Sequence, residues 1–111
     1  MRPIPKSLLV HKVTLYTKVS GRWEETLGDD ILLEHVRMEP SNQIIRDKQG
    51  AEQQLAAVLI YDCKNSRPGG MGFAVDQVVE FNSQRLQIKT VEPLYDGRRL
   101  HHYEMGLISY A

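Results

Sequence analysis

Cysteine is almost absent. Cys63 stands alone among the 111 residues, so no internal disulfide and no multi-cysteine zinc site can form, and the chain reads towards a reducing compartment. A lone cysteine is ordinarily a small buried apolar residue, and Cys63 is expected to be one. An excess of charge is lacking too. Fourteen Lys and Arg balance 14 Asp and Glu, which removes the bulk attraction that a general nucleic-acid or membrane binder relies on and leaves only a local patch able to serve. The same neutrality leaves little repulsion between copies, so self-association costs little in electrostatic terms. No apolar run approaches the ~20 residues of a membrane helix, the longest being 55–61. The charged start Met1-Arg2-Pro3-Ile4-Pro5-Lys6 is followed by only Ser7-Leu8-Leu9-Val10 before His11, too little for the apolar region of a signal peptide. A soluble cytosolic product without a membrane partner is expected. Aromatics are sparse, with five Tyr, two Phe and one Trp, and that thins the supply of stacking platforms for bases.

The remainder is ordinary globular material, 41% hydrophobic and 25% charged, and it has room for one domain with one core over 1–111. Residues 1–10 form an N-terminal arm. Beyond them the dominant period is two, which sends alternate side chains to opposite faces of extended strands. Val13, Leu15 and Val19 share one face against Lys12, Thr14, Tyr16 and Lys18, and Ser20-Gly21 breaks the strand. A second stretch, 31–39, opens on Ile31-Leu32-Leu33, continues with Val36 and Met38 against His35, Arg37 and Glu39, and is stopped by Pro40. The third, 56–63, is apolar on both faces and reads as central. Val79 and Phe81 alternate with Glu80, and Leu86 and Ile88 with Arg85, Gln87 and Lys89, around a short turn at Asn82-Ser83. A second hairpin runs to Tyr103, Met105 and Leu107, with Asp96-Gly97 suited to the positive φ values of a type I′ turn.

Five or six short strands in so small a chain predict a mainly all-β fold, a small antiparallel β-barrel with long loops and at most a short helix. Two loops stand out. Residues 41–55 are polar with Gly50 at the centre, and read as a long insertion ending in one or two helical turns, with Ile44 and Ile45 exposed or docking elsewhere. Residues 64–72 carry Pro68, Gly69, Gly70 and Gly72, which prevent a regular element. Structureless loops of this length are uncommon in small domains and often functional.

No catalytic constellation emerges. Of the four histidines, His11, His35, His101 and His102, the last two are adjacent in a strand and should point to opposite faces, His35 sits on a polar face, and no HxH or HxxxH pair occurs. Ser66 and Cys63 lack a nucleophile-elbow pattern, and Gly69-Gly70-Met71-Gly72 lacks the GK[ST] of a phosphate loop. The acidic pairs Glu24-Glu25 and Asp29-Asp30 read as solvated turn charges. A barrel of this size can also bind single strands. For that alternative, an OB-type nucleic-acid-binding barrel, the stacking candidates are Tyr16, Trp23, Tyr95 and Tyr110, with Arg67, Arg98 and Arg99 as phosphate partners.

The order of elements is itself informative: a strand, a charged insertion, Leu59-Ile60-Tyr61-Asp62, a loop with Ser66, Pro68 and Gly69, then Phe73, Val78-Val79-Glu80-Phe81, Leu86-Gln87-Ile88 and Leu100-His101-His102-Tyr103-Glu104. From about Val13 to Ser109 this resembles the minor capsid, or head-completion, proteins of tailed bacteriophages and prophages, and among them the head-to-tail connector "stopper" group. The resemblance implies a structural virion protein, not an enzyme, with no cofactor, no metal and no small-molecule substrate. It implies a ring of identical subunits in the phage neck, with portal and adaptor proteins on the head side and tail proteins on the other, made in the bacterial cytoplasm and helping to retain packaged DNA. Loops 41–55 and 64–72 are then the candidates for contact. Ile44, Ile45 and Met71 are the apolar anchors; Arg46, Lys48, Lys64 and Arg67 are the candidates for acidic partners or passing DNA, touching phosphate without reading sequence.

Overall fold

Alternation of apolar and polar side chains produces eight strands: β1 (His11–Ser20), β2 (Thr26–Pro40), β3 (Ile44–Arg46), β4 (Glu52–Gln54), β5 (Ala57–Asp62), β6 (Val78–Phe81), β7 (Gln84–Asp96) and β8 (Arg99–Ser109). The computed structural model describes residues 2–20, 26–46 and 49–110, so Trp23, Glu24, Glu25 and Lys48 lie outside the described residues. Six strands close into a barrel in the order β1-β2-β5-β8-β7-β6, every neighbouring pair antiparallel. The fold is all-β, as the period-two pattern predicts, and closure leaves the barrel no free edge. No helix occurs among the described residues.

The inward faces fill the barrel with Val13, Leu15, Leu33, Val36, Met38, Leu59, Tyr61, Val79, Leu86, Ile88, Met105 and Leu107. Leu33 and Val36 are three residues apart, which strict alternation would send to opposite faces. A bulge reconciles them: the pairing passes from Val13↔Leu33 to His11↔Val36, and His35 takes a left-handed φ of 54°. Glu34, displaced from the β1 ladder, instead exchanges two backbone hydrogen bonds with Arg67, of 2.8 and 2.9 Å. The bulge therefore fastens the 64–72 loop to the barrel wall.

Packing at β8 is tight enough to demand glycine. A Cβ on Gly106 would lie 2.5 Å from Thr90 Oγ1 and about 3 Å from the Leu55 methyls, while the Gly106 amide donates to that same hydroxyl at 3.0 Å.

Two sequence expectations need correction. The 41–55 segment ends not in helical turns but in the hairpin β3–β4, with Ile44↔Gln54, Ile45↔Gln53 and Arg46↔Glu52 in register. The cause is continuity: Ser41 bonds Ala56 at 3.1 Å and Leu55 bonds Gln43 at 2.8 Å, so the β2–β5 pairing carries on past Pro40. Gly50, at a φ of 83°, supplies the left-handed residue that the connecting turn requires. The type I′ signature also sits elsewhere. Asp96 pairs with Arg99, which leaves Gly97-Arg98 as the turn with only Gly97 at positive φ. Asn82 and Ser83, between the pair Phe81↔Gln84, are the two residues that both adopt positive φ, at 51° and 63°.

Candidate functional site

One end of the barrel gathers the residues on which the resemblance rests. Asp62, the last residue of β5, is fully buried, and its carboxylate accepts three backbone N–H groups: Ile4 on Oδ1 at 3.0 Å, and Lys64 at 3.1 Å and Asn65 at 2.8 Å on Oδ2. Three donors satisfy an acid that would otherwise be costly to bury. Ser66, also buried, accepts from the Asp62 amide at 2.9 Å and donates to the carbonyl of His35 in the bulge. The Tyr61 hydroxyl donates to the carbonyl of Pro68, which follows a cis peptide bond. Burial pushes the Tyr61 phenol above the ordinary tyrosine range, which keeps that donor protonated. Its ring meets Phe73 edge-on at 5.1 Å, and Phe73 meets Tyr103 at 5.2 Å. The 64–72 loop is thus anchored at Asp62, Ser66, Arg67 and Pro68, and glycines 69, 70 and 72 are exposed.

The N-terminal arm docks on the same hub. Besides the Ile4 amide on Asp62, the Ile4 carbonyl accepts from Asn65 Nδ2 at 2.8 Å, the Leu8 carbonyl accepts from Arg37 at 3.2 Å, and Leu9 is buried. Nothing local in the first ten residues announces this; the partners lie 29 to 61 residues away along the chain.

The expectation that His101 and His102 diverge is overturned. Leu94 pairs with His102 and Tyr95 with Leu100, so His101 is the extra residue of a bulge. The resulting turn of the strand brings the two Nδ1 atoms to 2.8 Å and the rings to an edge-on 5.0 Å. Among the described residues no group of three or more His, Cys, Asp and Glu side chains is placed to hold a metal ion. His11 has a plain structural partner, its Nδ1 accepting from the Met38 amide at 2.9 Å while the ring packs on Phe81 at 5.1 Å. Cys63 is half-buried against the core; desolvation and then the Asp62 charge raise its thiol above the ordinary range, away from a reactive thiolate.

The contact candidates separate by face. On the hairpin, Ile45 and Gln53 form an inward pair, and Ile45 lines a groove with Leu55, Val58, Thr90 and Val91. Ile44 turns outward and is 62% exposed. Arg46 is exposed and pairs with Glu52 at 3.5 Å; Lys48 lies outside the described residues. On the second loop, Met71 packs against the core, and the Arg67 guanidinium donates to the carbonyls of Lys64 at 2.6 Å and Ser66 at 2.9 Å. Lys64 is exposed beside a hollow shared with Pro3, Asp96, Arg99 and His101. Of the aromatics of the nucleic-acid alternative, Tyr16 is on β1, where it bonds Glu80 at 3.2 Å, the exposed Tyr95 is on β7, Tyr110 follows β8, and Trp23 lies outside the described residues.

A single comparison spans the hub, most of the docked arm, the barrel and the hairpin that leaves it. No curated protein and no solved structure matches the chain. The family model described as minor capsid protein matches residues 5–107, from the docked arm to the last core leucine of β8, and the chain therefore belongs to the minor capsid protein family.

Proposed function

We propose that this minor capsid protein is a head-to-tail connector of the stopper kind, a subunit of a ring in the phage neck that joins the portal and its adaptor to the tail and helps retain packaged DNA. The observation that carries this reading is the β3–β4 ribbon. A closed barrel has no edge to offer a neighbour, yet the β2–β5 pairing continues out of it as a two-stranded ribbon whose exposed face presents Ile44. A contact of this kind, made between a protruding element and a different surface of the next copy, is heterologous and closes into a ring when the rotation permits. Each contact need contribute little, because closure repeats it around the ring.

The test is binding of the purified protein to its own portal–adaptor assembly, with negative-stain images of the product. Wild-type protein should add a ring, and Ile44→Asp should not, while its thermal transition stays within about 0.5 kcal/mol of wild type as expected of an exposed site. An unchanged ring with Ile44→Asp would remove the ribbon from the contact. No added ring with folded wild-type protein would overturn the connector reading.

A further inference from the structure

We propose that the start of the N-terminal arm is stapled to the barrel by a proton-dependent chain, Arg2–His101–His102–Glu104, which closes only while the two rings and the carboxylate share one proton more than two neutral imidazoles carry. The geometry comes from the β8 bulge. His101 Nε2 lies 2.6 Å from the Arg2 carbonyl, the two Nδ1 atoms are 2.8 Å apart, and His102 Nε2 lies 3.0 Å from Glu104 Oε2. Each contact needs one hydrogen. A carbonyl only accepts, so His101 Nε2 must carry a proton; one proton must sit between the Nδ1 atoms; and a third must lie between His102 and Glu104. Two neutral rings supply two. The closed chain therefore holds a third, which we place on the rings, so that the His pair is singly cationic against an ionised Glu104.

Removing that proton has a defined result. The charge-assisted bond to Glu104 is the strongest of the three and keeps His102 Nε2–H. One of the two remaining contacts must then lose its hydrogen, and we place the loss at the arm: the bulge holds the two rings side by side, so His101 keeps its hydrogen on Nδ1 facing the His102 Nδ1 lone pair, while the Arg2 carbonyl can move away. His101 Nε2 is left bare against the Arg2 carbonyl, acceptor against acceptor, and the arm loses that contact. The neighbouring charges act on both sides. On β7, Glu92 stands opposite Glu104 and Asp96 lies beside His101, and both favour the extra proton, Asp96 the less because its carboxylate is bonded by the N-terminal ammonium, which holds it below the ordinary carboxylate range. Arg2, Lys64 and Arg99 oppose it. On β5, Asp62 stands opposite His102 with its carboxylate already taken by three amides, and the half-buried Cys63 is held as a neutral thiol.

The Ile4 amide, bonded to Asp62 two residues from Arg2, reports on the staple. In the full chain its hydrogen exchange, corrected for the intrinsic pH dependence, should rise about tenfold or more once the pH is raised far enough to remove the third proton. Long-range proton–nitrogen spectra of the rings at the low end should show three ring-bound protons across the pair. Glu104→Gln gives the decisive contrast. Its amide can donate to His102 Nε2, so two neutral rings suffice to close the chain, and Ile4 protection should persist across the range. Flat protection in the wild type, two ring protons with the arm docked, or an unchanged pH dependence in Glu104→Gln would each overturn the proposal.

Discussion

Asp62 is the residue whose removal should cost this fold most for its size, and the sign of the effect is not obvious in advance. A buried carboxylate without partners would be a liability, and replacing it with a neutral side chain would stabilise the chain. Here, however, Oδ1 holds one amide and Oδ2 two, at 2.8 to 3.1 Å. Hydrogen bonds to a charged group contribute about 1.5–3 kcal/mol each, and a buried donor left unpaired costs about 1–3 kcal/mol. Ile4 and Lys64 can reach water once the arm lifts, so the three losses do not add in full; Asp62→Ala is expected to cost about 3–5 kcal/mol. Asp62→Asn keeps the shape but only one acceptor oxygen. That oxygen should stay with the two loop amides and turn NH2 towards Ile4, costing about 2–3 kcal/mol. Denaturant titration gives the free energies, and hydrogen exchange separates the two ends: Asn should expose the Ile4 amide and leave Asn65 protected, and Ala should expose both. A loss under about 1 kcal/mol for Asp62→Ala would refute the claim that this carboxylate is the anchor of loop and arm.

Two further outcomes follow from the same packing. Gly106→Ala should destabilise by about 1–3 kcal/mol in denaturant melts, because the new methyl meets Thr90 Oγ1 and Leu55; Thr90→Ser, which leaves the hydroxyl in place, should not relieve it, whereas Thr90→Ala should recover part of the loss. For Tyr61, burial raises the phenol in the folded state, so its contribution is fully present below the ordinary tyrosine value of about 10 and is lost as pH rises through the raised one; Tyr61→Phe should flatten that alkaline decline in pH-dependent melts and cost stability at neutral pH through the lost bond to Pro68.

Alternation alone made the barrel readable, since each wall strand buries one face, and the apolar 55–61 run falls mostly on β5, which in a closed barrel is no more central than any other wall strand. Bulges are what alternation cannot express. The one at His35 offsets the period so that Leu33 and Val36 share the core, and the one at His101 joins two rings that a regular strand would part. The β3–β4 hairpin was hidden for a different reason: three paired residues on a polar background give too short a pattern, and the pairing is inherited from β2 and β5 rather than encoded locally. Ser66 read as a plain loop residue and Asp62 only as part of a strand because their partners, His35 and Ile4, are distant in sequence. A Tyr-Asp pair before a Ser, Pro and Gly loop is a readable signal for such an anchor: the Asp ends a strand and collects the amides that turn the chain.

The placement of apolar side chains on the two segments bears on how an assembly can form. Both were candidates for adhesive loops, but the fold packs the partly buried Met71 against its own core and turns Ile45 onto the barrel. Arg67 closes the loop on itself through two carbonyls, which leaves its charge exposed but its geometry fixed. A partner approaching the 64–72 loop therefore meets a backbone anchored at its base, which loses little entropy on contact. A partner approaching the ribbon meets Ile44 on a hairpin held by three cross-strand pairs and the inward Ile45. Ile45 thus positions what Ile44 presents, and a polar residue at 45 would free the ribbon from the barrel and raise the ordering cost of any contact made through 44. That coupling distinguishes a built contact element from a loose insertion: in a loose insertion, Ile45→Asp and Ile44→Asp would weaken assembly independently, whereas here the double variant should be no worse than Ile44→Asp alone.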